Sequence, residues 1–200
     1  MDGFDGRCVT DCEQCPDLVA SRSQIVNGVG PTDAELVFVG EAPGANEDEA
    51  GEPFVGRSGS VLDDALGDAG VDRSAVRITN CVRCRPPENR DPTTDELANC
   101  RGYLEAEIKA VDPTLVVTLG KVPSEHLLGR SVAITSESGD VVDARIGGAS
   151  RRVLLSVHPA ATLYDRSQRD GFFETLARAS ELSGVGGATD GSGQSRLGDY

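Results

Sequence analysis

Lysine is almost missing from this chain: of 19 cationic residues only Lys109 and Lys121 are lysines, against 33 acidic residues and a formal net charge of −14. That balance excludes a body coated in cations for nucleic acid, while leaving room for a local arginine patch. It gives a highly soluble surface, of the acid-rich, lysine-poor kind common in salt-loving organisms. Long apolar runs are also missing. No stretch reaches membrane-spanning length and no basic-then-apolar leader opens the chain. No membrane segment and no secretion are therefore expected, and the expected compartment is cytoplasmic. No internal repeat is apparent. The length of 200 residues suits one domain, 1–182, followed by a Gly/Ser-rich tail, 183–200, expected to be disordered.

Cysteine is present in quantity. Six cysteines in such a chain point to metal ligation rather than disulfides. They fall as Cys8, Cys12, Cys15, Cys81, Cys84 and Cys100, with CxxC pairs at 12–15 and 81–84 that let two thiolates reach one centre. Pro16 directly follows Cys15, as in some iron–sulfur runs. A structural zinc and an iron–sulfur cluster both suit this spacing, which does not select the four ligands. Residues 1–24 are polar and weakly periodic, so a metal would fasten them to the body.

Residues 36–39, Leu-Val-Phe-Val, read as a buried strand. Gly40, Pro43 and Gly44 force a turn at its carboxyl end, where ligands bind in open α/β sheets, and Glu41 and Glu47 lie in that turn. Phe54 sits in a Gly/Pro-rich loop where no apolar periodicity calls for a ring, so it either plugs the core or stacks on a planar ligand. Ser58 is the expected N-cap of a helix carrying Val61, Leu62, Ala65, Leu66 and Ala69.

Further strands are expected at 76–79, 115–119 and 153–157, with helices behind a Thr93–Glu96 capping box, after Gly120 and from Phe172 to Leu182. Residues 131–147 alternate weakly, as in a hairpin or exposed edge. The three prolines between Cys84 and Thr93 bar any regular element there. The fold class is α/β: a three-layer α/β/α domain around a mostly parallel four-stranded sheet. Three strands then end in Glu41, Asn80 and His158 at one rim. Taken singly these are a solvated acid, a cap and a core imidazole; together, with Phe54 nearby, they form a site.

Gly40-Glu41-Ala42-Pro43-Gly44 with Glu47-Asp48, the run 51–59 around Pro53-Phe54, Thr79-Asn80, Cys84-Arg85-Pro86-Pro87 with Asn89-Arg90, and His158-Pro159-Ala160 occur in an order that resembles the family 4 uracil-DNA glycosylases. These are the iron–sulfur branch of their superfamily, and the resemblance covers about residues 8–180. It implies hydrolysis of the N-glycosidic bond of uracil in single- or double-stranded DNA, releasing uracil and leaving an abasic site; the chain is expected to act as a monomer. It implies a [4Fe–4S] cluster on Cys12, Cys15, Cys84 and Cys100, with Cys8 and Cys81 as bystanders. It also implies a uracil site of Gly40, Glu41, Ala42, Phe54, Asn80 and His158, with catalysis by Glu41, Glu47 and His158.

Better-known relatives have an aspartate where Ala42 stands, which shifts the base role weakly toward Glu47. The family's Leu-Leu-Arg-type wedge is replaced by residues 161–166, so Leu163 or Tyr164 would wedge and Arg166 would hold a phosphate, with Asn89 a further DNA contact. Arg83, Arg85, Arg90, Arg101 and Arg169 are further candidates for phosphate contacts. No basic insertion precedes His158, so turnover is expected rather than crosslinking. The rival reading is a non-catalytic iron–sulfur or zinc module that carries electrons or docks a partner.

Overall fold

The computed structural model describes residues 8–186. Its centre is a five-stranded sheet in the order β2-β1-β3-β5-β4. Here β1 is Leu36–Gly40, β2 Arg77–Asn80, β3 Leu115–Leu119, β4 Val141–Ile146 and β5 Ala149–Ser156. The first three and β5 run parallel, and β4 is antiparallel to β5. The expected count of four is thus one short. The weakly alternating stretch supplies the fifth strand, a half-exposed edge that turns back through Gly147 and Gly148, both at positive φ.

Seven helices flank the sheet among the described residues: α1 Pro16–Ser21, α2 Ala45–Ala50, α3 Arg57–Asp68, α4 Thr94–Val111, α5 Lys121–Leu128, α6 Ile134–Glu137 and α7 Arg166–Ser183. Alternation along each strand divides the interior in two. Leu36, Phe38, Ile78 and Val117 meet Leu62 and Leu66 of α3 and Phe172 and Leu176 of α7. Val37, Val39, Val116 and Leu155 meet Leu104 and Ile108 of α4 and Leu127 of α5. Both faces of β1 are therefore covered, which is why it reads as an unbroken apolar run.

Several boundaries differ from expectation. Helix α3 is capped by Gly56 and not by Ser58, which lies inside it, and α7 starts at Arg166, well before Phe172. The short α1 and α2 were not expected; each has only six residues, too few to show a period. Ser183 ends α7, Gly184 caps it and Val185 packs on the core, so the body extends past 182. The remainder of the expected tail, 187–200, lies outside the described residues. The capping box at α4 is present, with Glu96 N donating to Thr93 Oγ1 and Thr93 N to Glu96 Oε2.

One buried carboxylate organises the edge next to β2. Glu107 of α4 is fully buried and accepts from Arg77 Nε at 2.6 Å, Arg83 Nη2 at 2.8 Å and Thr79 Oγ1 at 2.8 Å. Arg77 also donates to the carbonyls of Gly28 and Gly30, and Arg83 to Asn27 Oδ1. Glu107→Ala strands two buried guanidinium ions, so urea unfolding should show a loss of roughly 3–5 kcal/mol. A loss near zero would mean that water replaces the carboxylate without cost.

Candidate active site

The rim is built by strand register. Gly40 pairs with Asn80 in the parallel β1–β2 ladder, and Cys81 N to Gly40 O (2.9 Å) and Val82 N to Glu41 O (3.0 Å) carry the pairing past the strand ends. Asn80 and Glu41 leave the sheet together, and His158 follows just after β5. Ala42, Gly44, Glu47, Phe54, Ser58, Asn80 and His158 line a cavity of about 180 Å³. A second, of about 210 Å³, is lined by Glu41, Asn89 and Arg90 and shares Ala42, Gly44 and His158 with the first. The structure thus brings Glu41, Glu47, Phe54, Asn80 and His158 to one place. Larger clefts beside Arg178 and beside Val29, about 390 and 440 Å³, are lined without an imidazole.

Asn80 is 3% exposed, and its Oδ1 has no hydrogen-bond partner. A buried acceptor left open costs about 1–3 kcal/mol, a cost that a ligand N–H would remove. Gly40 allows the arrangement, since a Cβ there would collide with Asn80 Oδ1 and the Phe54 ring. Phe54 adopts a left-handed φ of 56°, strained for an aromatic by about 1–3 kcal/mol. Its ring lies 5.8 Å from that of His158, centroid to centroid, tilted by 31°.

Ala160 N donates to His158 Nδ1 at 3.1 Å, so the neutral ring carries its proton on Nε2. Burial, opposed by the charge of Glu47, pushes the imidazole down to about 4. His158 is therefore a neutral donor across the physiological range.

The two carboxylates differ. Burial first, then the charge and hydrogen bond of neighbouring Asp91, push Glu41 up to about 7. Glu47 closes its own helix and the Phe54 loop: Oε2 accepts from Gly44 N, and Oε1 from Val55 N and Gly56 N. Three donors on two oxygens make it a clasp, with about one of its four lone-pair sites left open on Oε2.

Leu163 and Tyr164 are exposed at the turn before α7, and Arg166 is exposed at that helix's first position. Asn89 is exposed and held by Arg85 Nε at 2.8 Å. Arg83 cannot serve as a phosphate contact because it is buried on Glu107. Arg90 is committed to Glu96 through both terminal nitrogens, and Arg101 to Glu105 and the His126 carbonyl.

Away from the rim, Cys12, Cys15, Cys84 and Cys100 line one small cavity with Leu18 and Val82. Arg22 Nη1 donates to Cys84 Sγ at 3.0 Å, and Asn99 Nδ2 to Cys15 Sγ at 3.4 Å. Among the described residues no three His, Cys, Asp or Glu side chains are grouped to hold a single metal ion. Cys8 is exposed and Cys81 fully buried, neither lining that cavity.

A model of the uracil DNA glycosylase superfamily matches residues 27–179. The type-4 uracil-DNA glycosylase of Archaeoglobus fulgidus is 38% identical over 182 residues, covering 89% of this chain and 91% of that protein. The type-4 enzyme of Thermotoga maritima is 41% identical, covering 80% and 81%. The chain belongs to the uracil DNA glycosylase superfamily.

Within the superfamily the type-5 uracil-DNA glycosylase of Pyrobaculum aerophilum is less similar, at 34% identity over 80% of this chain. The motif order had implied the type-4 side. Three residues near superfamily motifs escaped sequence reading: Asp91, which presses on Glu41; Arg22, which donates to Cys84; and Arg73, bonded to the Phe54 loop. Each acts across a distance that no local pattern encodes.

Glu41 should titrate near 7 in carbon NMR of the glutamate carboxyls, and Asp91→Asn should move it downward. It should stay above the ordinary range because burial is the larger cause. An unmoved midpoint would show that Asp91 exerts no influence.

Proposed function

We propose that this protein removes uracil from DNA by hydrolysing its N-glycosidic bond, leaving an abasic site for base excision repair. The observation that carries the reading is the open Oδ1 of Asn80, buried in a cavity walled by Phe54 and His158. Superfamily membership and the names of the type-4 relatives support it.

Reaching the bond in a duplex requires the nucleotide to be turned out, at a cost of about a few kcal/mol. Stacking on Phe54 recovers part of that. Asn80 Oδ1 accepts from uracil N3–H while its amide nitrogen donates to O4. Cytosine presents an acceptor and a donor at those atoms, so binding it would leave buried groups unpaired. As the bond breaks, negative charge grows on the base and positive charge on the sugar. His158 Nε2–H meets the charge at uracil O2 without giving up its proton. Glu41, ionised above about 7, faces the cationic sugar and orients the water. Glu47 holds the loop beneath them.

The four thiols that line the small cavity away from the rim are the donor set that a [4Fe–4S] cluster requires. Cys12, Cys15, Cys84 and Cys100 would hold it. When bound, the cluster supplies a cross-link between the N-terminal segment, the loop after β2 and α4. Burial raises Cys100 to about 11, and metal binding would offset the cost of deprotonating it.

An oligonucleotide assay with U·G, U·A and single-stranded uracil tests the activity. Asn80→Ala and His158→Ala should each lose roughly 10²-fold or more in single-turnover rate while keeping their fold. An intact uracil strand after incubation with wild type, at low and molar salt, would refute the reading and favour a non-catalytic module. Cys84→Ser should abolish brown visible absorption and lower the melting temperature; a colourless wild type that contains zinc would overturn the cluster.

A further inference from the structure

Arg73 stands outside both rim cavities, in a single turn at Arg73–Ala75 just before β2. Its side chain nevertheless reaches the loop that carries Phe54. Nη2 donates to the carbonyl oxygens of Pro53 at 2.8 Å and Phe54 at 3.1 Å, and Nη1 pairs with Asp63 on α3. Immediately downstream, Val55 N and Gly56 N donate to Glu47 Oε1 at 3.2 and 3.0 Å. The peptides on either side of one strained residue are thus gripped by a cation and a carboxylate. Gly59 completes the fit, since a Cβ there would collide with the Phe54 carbonyl.

We infer that Arg73 is a positioning residue: with Glu47 it forms a two-sided clasp that holds the Phe54 backbone in its left-handed conformation and so keeps the ring flat against the base. The inference rests on Phe54 being the stacking platform proposed above. A backbone at φ of 56° persists only where surrounding bonds over-determine it. Two carbonyls caught by one planar guanidinium supply that constraint, which a lysine with its single point charge reproduces only in part. When the clasp opens, Phe54 returns to negative φ and its ring swings away from His158 and the base.

The protein carries two histidines, His126 and His158, so a long-range nitrogen–proton spectrum of the imidazoles has two ring systems, and His126→Gln assigns them. The Phe54 ring lies close enough to His158 for its ring current to be felt there. Arg73→Ala in the full chain should shift the His158 resonances and leave those of His126 in place. With uracil DNA, its single-turnover rate should fall roughly 10- to 100-fold while the KM changes far less, since a displacement of about 1 Å at the site is enough. Arg73→Lys should recover part of the rate.

An unshifted His158, or a rate within twofold of wild type, overturns the clasp. So does a rate loss that vanishes once corrected for the folded fraction, because that marks a merely structural role. If wild type itself releases no uracil, the proposed function fails while the His158 spectrum still decides whether Arg73 holds Phe54.

Discussion

The absence of a side chain at Gly40 is the constraint on which this site rests. The residue pairs with Asn80 in the sheet and passes directly beneath the Phe54 ring, with no space for a Cβ between them. Strand pairing, the amide and the aromatic therefore share one contact. Because the register between β1 and β2 continues through Cys81 and Val82, the main chain that carries the amide cannot shift without breaking backbone hydrogen bonds. A rigid scaffold in this sense is what lets Asn80 keep an unsatisfied oxygen: the strain is concentrated at a few atoms and balanced by a sheet buried on both faces.

A second constraint lies on the opposite side of β2. Glu107 binds Arg77, Thr79 and Arg83, residues that straddle Asn80 along the chain, and Cys84 follows Arg83 directly. A single buried carboxylate therefore links the backbone around Asn80 to that around Cys84, a proposed cluster ligand. The thiol cavity and the rim cavity are consequently joined through the main chain of residues 80–84 and the one side chain that braces it. Buried charge of this kind is costly unless every partner is present, and here it defines one arrangement of the loop after β2.

The fold was largely legible because its signals are local. Buried apolar runs marked four strands, and the Thr93–Glu96 capping box marked α4. The fifth strand was blurred because an edge strand exposes half its residues, and α1 and α2 were too short for a period to appear. The rim residues were legible because strand ends in a parallel sheet converge on one edge. What sequence hid was the reach of side chains across the fold. Arg83 looked free for phosphate until Glu107 was seen beneath it, and Arg73 and Asp91 are brought to Phe54 and Glu41 only by tertiary packing. Position along the chain carries no sign of such contacts.

Glu41 and Glu47 show how two carboxylates on one loop are separated into different tasks. Glu47 accepts from three backbone donors and fixes the shape of the turn. Glu41 has lost water without gaining a cation, and meets the charge of Asp91 instead, so its proton is held to about 7. A carboxylate raised in this way is a better proton acceptor than an ordinary one and still ionises in the working range. In the proposed reaction, growing positive charge on a nearby sugar would favour its ionised form further, and the stabilisation it supplied would be greatest as the bond breaks. With alanine at position 42, the chain has no acid at the place where better-known relatives carry aspartate, and under the proposed function the neighbouring strand-end Glu41 would take that place.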